Sequence, residues 1–487
     1  MIWQLFRLNR EKGVKTSSVL WIPTLWIFIG ATRNLSEWFR LSSPSGAGQY
    51  LEGNPLDQIA AALMLGIGLT VLVKRASRVT ALLRANLPIL LFFLYCGVSI
   101  LWSDFPEVAV KRWLRAVGDV VMVLIVLSDA NWLTAVRRVF SRIAFVSVPV
   151  SILFIRYYPE LGRAYTRGGL ASWSGVATGK NGLGMICLVF GLASLVHFLK
   201  VFREDKGPLR TKPMLAEGAI LLMTVYLLLK ANSATSLAVF FLALAPMLLA
   251  YLFRFARKPV IVHVTVFAVL ATAFSVLFLN IGSGMTQTLG RDSTLTGRTD
   301  IWRSAFSLVQ NPILGTGFES FWLGPRLGKM AVLINQSVNQ AHNGYIEIYL
   351  NLGWVGVILL LAIIVTTYRR IIVAINQAAP FALLGLAFFV ANVAYNFTEA
   401  AFKMMHPLWI TLLLVGMAVL DPSMSKDPQS EYANPSAESV TKLKKTATRS
   451  HSSKGNGTVS RPKKIVARAF MTWCFCRTTK SLSRYPA

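Results

Sequence analysis

Residues able to handle a charged substrate gather in one polar segment of this chain. In Leu295-Thr-Gly-Arg298-Thr-Asp-Ile-Trp302 an amphipathic run begins, and Ile301, Ala305, Leu308 and Val309 repeat at helical spacing until Asn311-Pro312 stops it. Arg298 therefore opens a helix, where free backbone N–H groups and the positive dipole end favour an anion. A planar guanidinium there can hold a phosphate through two bonds. The plainer reading of Arg298 is an ion pair with Asp292 or Asp300. Downstream, Asn339-Gln-Ala-His342-Asn343-Gly-Tyr345 leads straight into a long apolar stretch. With the helix begun by His342, that residue shares a face with Tyr345 and Tyr349, while Asn343, Glu347 and Asn351 form a second polar stripe. Polar groups at such an entry belong against a cavity rather than lipid. Imidazole titrates near neutral pH, so His342 is the candidate base and Glu347 the second. Their plainer readings are a satisfied interfacial histidine and a carboxylate paired with a Lys or Arg.

Further cations accompany them. Arg156, Arg163, Arg167 and Lys180 bracket one loop, and Arg291, Arg303, Arg326 and Lys329 lie near Arg298. Such clustering suits an anion met at a membrane surface, with Arg167, Arg163, Lys180 and Arg291 as the group that would bind it. The alternative is that orientation is fixed by other loops and this excess is incidental.

The elements that must position these groups are membrane helices. The chain has 487 residues, 54% hydrophobic and only 15% charged, with net charge +29; soluble domains carry about 25% charged residues. Apolar runs fall at approximately 17–34, 57–73, 86–102, 113–128, 139–156, 181–199, 214–230, 234–253, 259–280, 344–366, 380–398 and 406–420. Each is near the roughly 20 residues needed to cross a hydrocarbon core. The fold expected is an all-α polytopic membrane protein with about twelve transmembrane helices and a large extracytoplasmic loop, 281–343, between the ninth and tenth. Alternate loops carry Lys74, Arg75, Arg78 and Arg84; Arg137, Arg138 and Arg142; Lys200, Arg203 and Lys206; Arg254, Arg257 and Lys258; and Arg369 and Arg370. Positive charge in short loops marks the cytoplasmic side, so residues 1–16 and both termini are placed there. The first run reads as an uncleaved signal-anchor, since further spans follow it.

Residues 17–420 make the transmembrane catalytic domain in this reading. From Asp421 on, thirteen Lys/Arg against four acids and abundant Ser, Thr and Pro describe a basic, largely disordered cytoplasmic tail. Within it Ile465 to Cys476 combines aromatic residues with flanking cations, which suits an anionic leaflet. Cys96 and Cys187 lie in apolar runs and Cys474 and Cys476 in the tail, so neither a disulfide nor a zinc site is expected. Arg115 and Asp119, spaced i,i+4, are expected to neutralise one another, Glu217 to snorkel, and Lys230, Glu399 and Lys403 to border the outer cavity.

These motifs together are recognisable. Gly-Arg298 before Trp302, Asn311-Pro-Ile-Leu-Gly-Thr-Gly317, and His342-Asn343 heading a helix with Gly353 beyond resemble the signature region of the O-antigen ligase and polymerase family. Lys180 before Asn181-Gly-Leu-Gly184, preceded by Arg167-Gly168, is similar to that family's other recurring stretch. Whether Arg163 or Arg167 matches its essential arginine stays open. The exopolysaccharide-polymerase branch is nearest, and the resemblance runs from about Trp102 to Leu420. It implies a C-type glycosyltransferase-like architecture that transfers a glycan from undecaprenyl diphosphate to an acceptor sugar hydroxyl at the periplasmic face of a bacterial inner membrane. The partners implied are that lipid-linked donor, the glycan acceptor, membrane lipids and other polysaccharide assembly or export proteins, with no nucleic acid. The leaving diphosphate gains charge as the glycosidic bond breaks, and fixed cations such as Arg298 can meet it. With no Asp-x-Asp pair in the outer loops, neither a metal nor another cofactor is expected.

Three rivals remain. A ligase would use a lipid A core acceptor. A lipid-linked oligosaccharide flippase should carry cations deep in its helices, whereas here they cluster outside. A scaffold of an export complex would tolerate substitutions at Arg298 and His342.

Overall fold

The computed structural model describes residues 1–9, 16–41, 53–165, 171–204, 210–278, 296–336 and 338–418. Arg167, Arg291, Asp292 and the basic tail lie outside the described residues. Met1–Leu420 forms one compact unit. In chain order its helices are α1 (Ile2–Leu8), α2 (Trp21–Ala31), α3 (Leu35–Trp38), α4 (Pro55–Lys74), α5 (Ala76–Arg84), α6 (Leu87–Val98), α7 (Pro106–Leu127), α8 (Trp132–Tyr157) and α9 (Pro159–Gly162). A hairpin of β1 (Arg163–Tyr165) and β2 (Ala171–Trp173) follows, then α10 (Lys180–Glu204), α11 (Thr211–Ala231), α12 (Ala234–Leu252) and α13 (Pro259–Phe278). Last come α14 (Thr296–Ser307), α15 (Gly324–Leu333), α16 (Gly344–Asn376), α17 (Ala382–Tyr395) and α18 (Pro407–Met417).

The protein is a helical, multi-pass membrane protein. Each of the twelve apolar runs falls on a helix, but the helices are not equivalent. Among the described residues seven are long and apolar enough to cross a membrane: α4, α8, α10, α11, α12, α13 and α16. An eighth span is available if α5 and α6 with its short extension, which meet at 90°, act as one. The helix at Ser18–Ala31, α17 and α18 are apolar but short. The 11 residues of α18 extend about 17 Å, well under a hydrocarbon core of about 30 Å. Both α17 and α18 are buried almost all round by other helices, which asks for the same apolar composition as lipid does. Beside the helices, the small antiparallel hairpin sets Arg163 opposite Trp173.

Two expectations fail on packing. Asp119 does not neutralise Arg115: its Oδ1 accepts from Trp26 Nε1 at 2.7 Å and its Oδ2 from the Met405 N–H at 2.8 Å. Glu217 does not snorkel; it is fully buried, and its Oε1 meets His197 Nδ1 at 2.9 Å and accepts from Asn9 and Ser141 at 3.3 Å. The first of those donors follows α1, so the N-terminal helix is tied to the bundle.

Helix α16 breaks where the motif region needs it to. Gly353 has φ +62°, and a Cβ there would stand 2.2 Å from the Ile313 carbonyl oxygen. The break frees the N–H groups of Trp354 and Val355, which donate to the carbonyls of Pro312 and Ile313 at 3.0 and 3.2 Å. In return Thr316 and Gly317 donate to the carbonyls of Leu350 and Asn351 at 3.2 and 2.9 Å. The Asn311 to Gly317 segment thus replaces helix hydrogen bonds that the kink removes, which satisfies buried backbone groups on both sides.

Candidate functional site

Helix α14 mounts its arginine on a small core of its own. Ile301 and Ala305 pack with Phe321, Trp322, Met330, Ala341 and Leu350, apart from the main core of the bundle. The helix ends at Ser307, before the Asn311-Pro312 stop, and Arg298 sits in its first turn as expected. Asp300 turns to Arg303 at 3.4 Å, so it is not the partner of Arg298.

The histidine is held by its neighbours. Asn343 caps α16, accepting from the N–H groups of Tyr345 and Ile346 at 3.0 and 3.1 Å, so the helix begins after His342 and the shared face with Tyr345 and Tyr349 does not exist. His342 itself has φ +51°, in the left-handed region. A non-glycine residue there costs about 1–3 kcal/mol unless its surroundings fix it. They do: the Ala341 N–H donates to Glu347 Oε1, and the Ala341 carbonyl accepts from Trp302 Nε1 at 2.7 Å. The Asn343 side chain also donates to the Phe397 carbonyl at 3.1 Å. Glu347, expected as a second acid–base group, also accepts at Oε2 from Trp322 Nε1 at 2.8 Å and lines the cavity beside this loop.

The two candidates meet at a residue the sequence did not mark as central. Glu399, in the turn after α17, is 7% exposed. Its Oε1 accepts from Asn181 Nδ2 at 2.9 Å and from Arg298 Nη2 at 3.4 Å, and its Oε2 lies 3.4 Å from His342 Nδ1. Arg298 Nη1 donates to the adjacent Thr398 carbonyl. Asn181 is aligned in turn by Ser233, whose hydroxyl donates to Asn181 Oδ1 at 3.1 Å. A buried carboxylate is thus shared by an arginine, an imidazole and an amide from α14, the α16 entry and α10. The side chains of Arg298 and His342 remain 21% and 30% exposed, so both can reach a ligand.

Of the other anion-binding candidates, Arg163 lies with its guanidinium 4.6 Å from the centre of the Trp173 ring, and Lys230 approaches that ring at 5.8 Å. Among the described residues the buried Arg163 Nε has no hydrogen-bond partner. Lys180 is exposed at the start of α10, one residue before Asn181. Neither contacts the Glu399 cluster through a described bond.

A cavity of about 550 Å³ abuts the cluster through Gln340 and Ala400, neighbours of Ala341 and Glu399. Arg33, Arg112, Arg115 and Lys403 line it, with Glu37, Glu319 and Glu347. Arg33 is committed to structure, donating to the carbonyls of Leu161, Gly175 and Ala177. Lys403 borders this cavity, as read from the sequence. Arg33 and Arg112 carried no signal because their segments looked like ordinary helix ends.

Comparison with known proteins agrees with these motifs. The O-antigen ligase family model matches residues 218–361, a span that includes Arg298, His342 and Glu347 but neither Asn181 nor Glu399. Over 288 residues the chain is 28% identical to the exopolysaccharide production protein ExoQ of Rhizobium meliloti. That match spans 57% of this chain and 63% of ExoQ, less than two thirds of the relative's length. The chain is thus a membrane protein that resembles the O-antigen ligase family over residues 218–361 and is similar to a protein of exopolysaccharide production.

Proposed function

We propose that this O-antigen ligase/polymerase-like protein transfers an undecaprenyl-diphosphate-linked glycan to an acceptor sugar hydroxyl at the periplasmic face of a bacterial inner membrane, polymerising exopolysaccharide or O-antigen repeats. The observation that carries the reading is the convergence of Arg298 and His342 on the buried carboxylate of Glu399. Arginine has five donors, and the contacts to Thr398 and Glu399 use one edge of the fork. The remaining edge is available to a phosphate whose charge grows as the glycosidic bond breaks, so the contact strengthens toward the transition state. A carboxylate only accepts, which places the imidazole proton on Nδ1 and leaves the Nε2 lone pair of His342 to take the acceptor proton. Arg163 and Lys180, with Arg167 and Arg291, would draw the diphosphate toward this end of α10.

The catalytic unit would be 17–420, with 281–343 outside and both termini in the cytoplasm; reporter fusions at Ser283 and Ser423 test that topology. Activity is tested with purified full-length protein and a labelled undecaprenyl-diphosphate repeat unit. Chains elongated from a second donor support polymerisation, whereas no transfer to any acceptor overturns the proposal. The ligase reading, favoured by the family description of the matched region, expects product only when a lipid A core is offered.

A further inference from the structure

The turn that carries Glu399 is closed by one side chain. Asn396, at the end of α17, is fully buried. Its Oδ1 accepts from the N–H groups of Ala401 and Phe402 at 2.8 and 3.1 Å, so the chain leaving α17 is drawn back on itself with Glu399 in the middle of the closed loop. Its Nδ2 donates to the Asn392 carbonyl one turn earlier at 2.9 Å, which fixes the orientation of the amide. The same residue reaches the histidine segment. Its backbone carbonyl accepts from the Gly344 N–H, two positions after His342, at 2.9 Å. Beside that bond a Cβ on Gly344 would collide with Asn396 Oδ1, so the α16 entry packs against the amide with no room for a side chain.

These contacts ask for an asparagine. One oxygen accepts twice while the neighbouring nitrogen donates, a combination that an ionised carboxylate cannot supply because it has no donor. Without the amide, two N–H groups of a buried turn would be left unmet, which is destabilising. Glu399 is thus delivered to Asn181, Arg298 and His342 by a loop whose closure and whose contact with the α16 entry both pass through one residue. We propose that Asn396 is a positioning residue for the proposed transfer, holding the Glu399 carboxylate beside the His342 imidazole. The inference rests on the transferase reading of this site.

The test compares three variants of the full-length protein. Asn396→Ala removes the acceptor for Ala401 and Phe402. Gly344→Ala presses on the same amide from the α16 side, at a helical position whose backbone accepts alanine. Asn392→Ala, one turn back in α17, is the control: that side chain donates to the Phe388 carbonyl and to Thr411 at 2.8 and 3.0 Å and bonds to neither segment of the site. In the first two variants kcat should fall about 10²-fold with KM for the donor changed much less, since a misplacement of about 1 Å costs that much. The control should keep wild-type kcat at a comparable loss of thermal midpoint. Amide hydrogen exchange gives a readout that needs no activity: residues 396–406 and 340–348 should exchange faster together in the first two variants and at the wild-type rate in the control. Wild-type kcat in Asn396→Ala, or in Gly344→Ala should the former fail to insert, overturns the proposal. So does an equal loss of kcat in the control, which would reduce the effect to stability. If the wild-type protein transfers nothing, the reading of function falls and the exchange data still decide the coupling: faster exchange in both segments upholds it, and unchanged exchange in either one refutes it.

Discussion

Nδ1 of His342 lies 3.4 Å from Oε2 of Glu399, a residue 57 positions further along the chain. That separation is long for a hydrogen bond, whose usual range is about 2.7–3.2 Å, and contacts of this kind often tighten when substrate binds. In the proposed mechanism Glu399 decides which imidazole nitrogen carries the proton.

Glu399→Gln should therefore lower kcat by about 10²- to 10⁴-fold while KM for the donor changes much less. The amide is nearly isosteric and can still accept from Asn181 or Arg298. Its NH₂ group can also donate to Nδ1, which moves the imidazole proton to Nε2 and removes the base. Steady-state transfer assays separate the two constants, and a variant with wild-type kcat would show that Glu399 serves folding alone.

Arg298→Lys should abolish most product while the protein remains inserted and folded. The guanidinium bridges the Thr398 carbonyl and Glu399 with one edge and has a second edge to offer. An ammonium keeps the charge without the planar fork. Glycan yield in a strain lacking the native protein measures this, alongside membrane abundance; near-normal polymer would reduce Arg298 to a point charge.

Glu347 gives an opposite expectation. We propose that it positions the loop rather than moves a proton, since it supplies acceptor atoms to the Ala341 N–H and Trp322 Nε1, of which Gln still supplies one. Glu347→Gln should keep activity within about ten-fold of wild type, whereas Glu347→Ala leaves two donors unsatisfied at about 1–3 kcal/mol each and should lose both activity and thermal stability. Equal inactivity of a stable Gln variant and the Ala variant would favour the acid–base role expected from the sequence.

The kink in α16 can be tested against an indifferent glycine. Gly353→Ala forces a left-handed backbone and a 2.2 Å approach to Ile313, so it should lower the thermal midpoint and disturb the loop that holds Asn311 to Gly317. Gly66→Ala, with open space around its Cβ, should be neutral or slightly stabilising. Thermal unfolding in detergent reads both.

Much of this arrangement was legible before any coordinates. Arg298 at a helix start, His342 at a helix entry and the glycine-rich segment between them follow from spacing, because each depends on residues within a turn or two. Glu399 escaped because its partners Asn181 and Arg298 are 218 and 101 positions away. A single carboxylate after an apolar helix resembles any interfacial residue. For α17 and α18, burial by protein and burial by lipid ask for the same residues, so hydropathy alone does not fix how many of the twelve runs are spans.

His342→Ala should abolish transfer without abolishing donor binding. The imidazole is held beside the acidic hub by its left-handed backbone and by the bonds to Ala341, a placement suited to an acceptor hydroxyl, whereas Arg298 has the phosphate-binding edge. A positioned base contributes about 10²–10⁴ in rate, enough to make polymer undetectable, while donor affinity should follow the arginines and the lipid groove. Because fixed cations are proposed to meet the leaving group, a chelator should leave wild-type transfer intact. Donor retention is read by binding of labelled lipid-linked glycan to purified protein, and transfer by gel analysis of the product. Normal elongation by His342→Ala would remove it from the chemistry. Loss of donor binding as complete as in an Arg167 and Arg298 double variant would put His342 on the diphosphate instead.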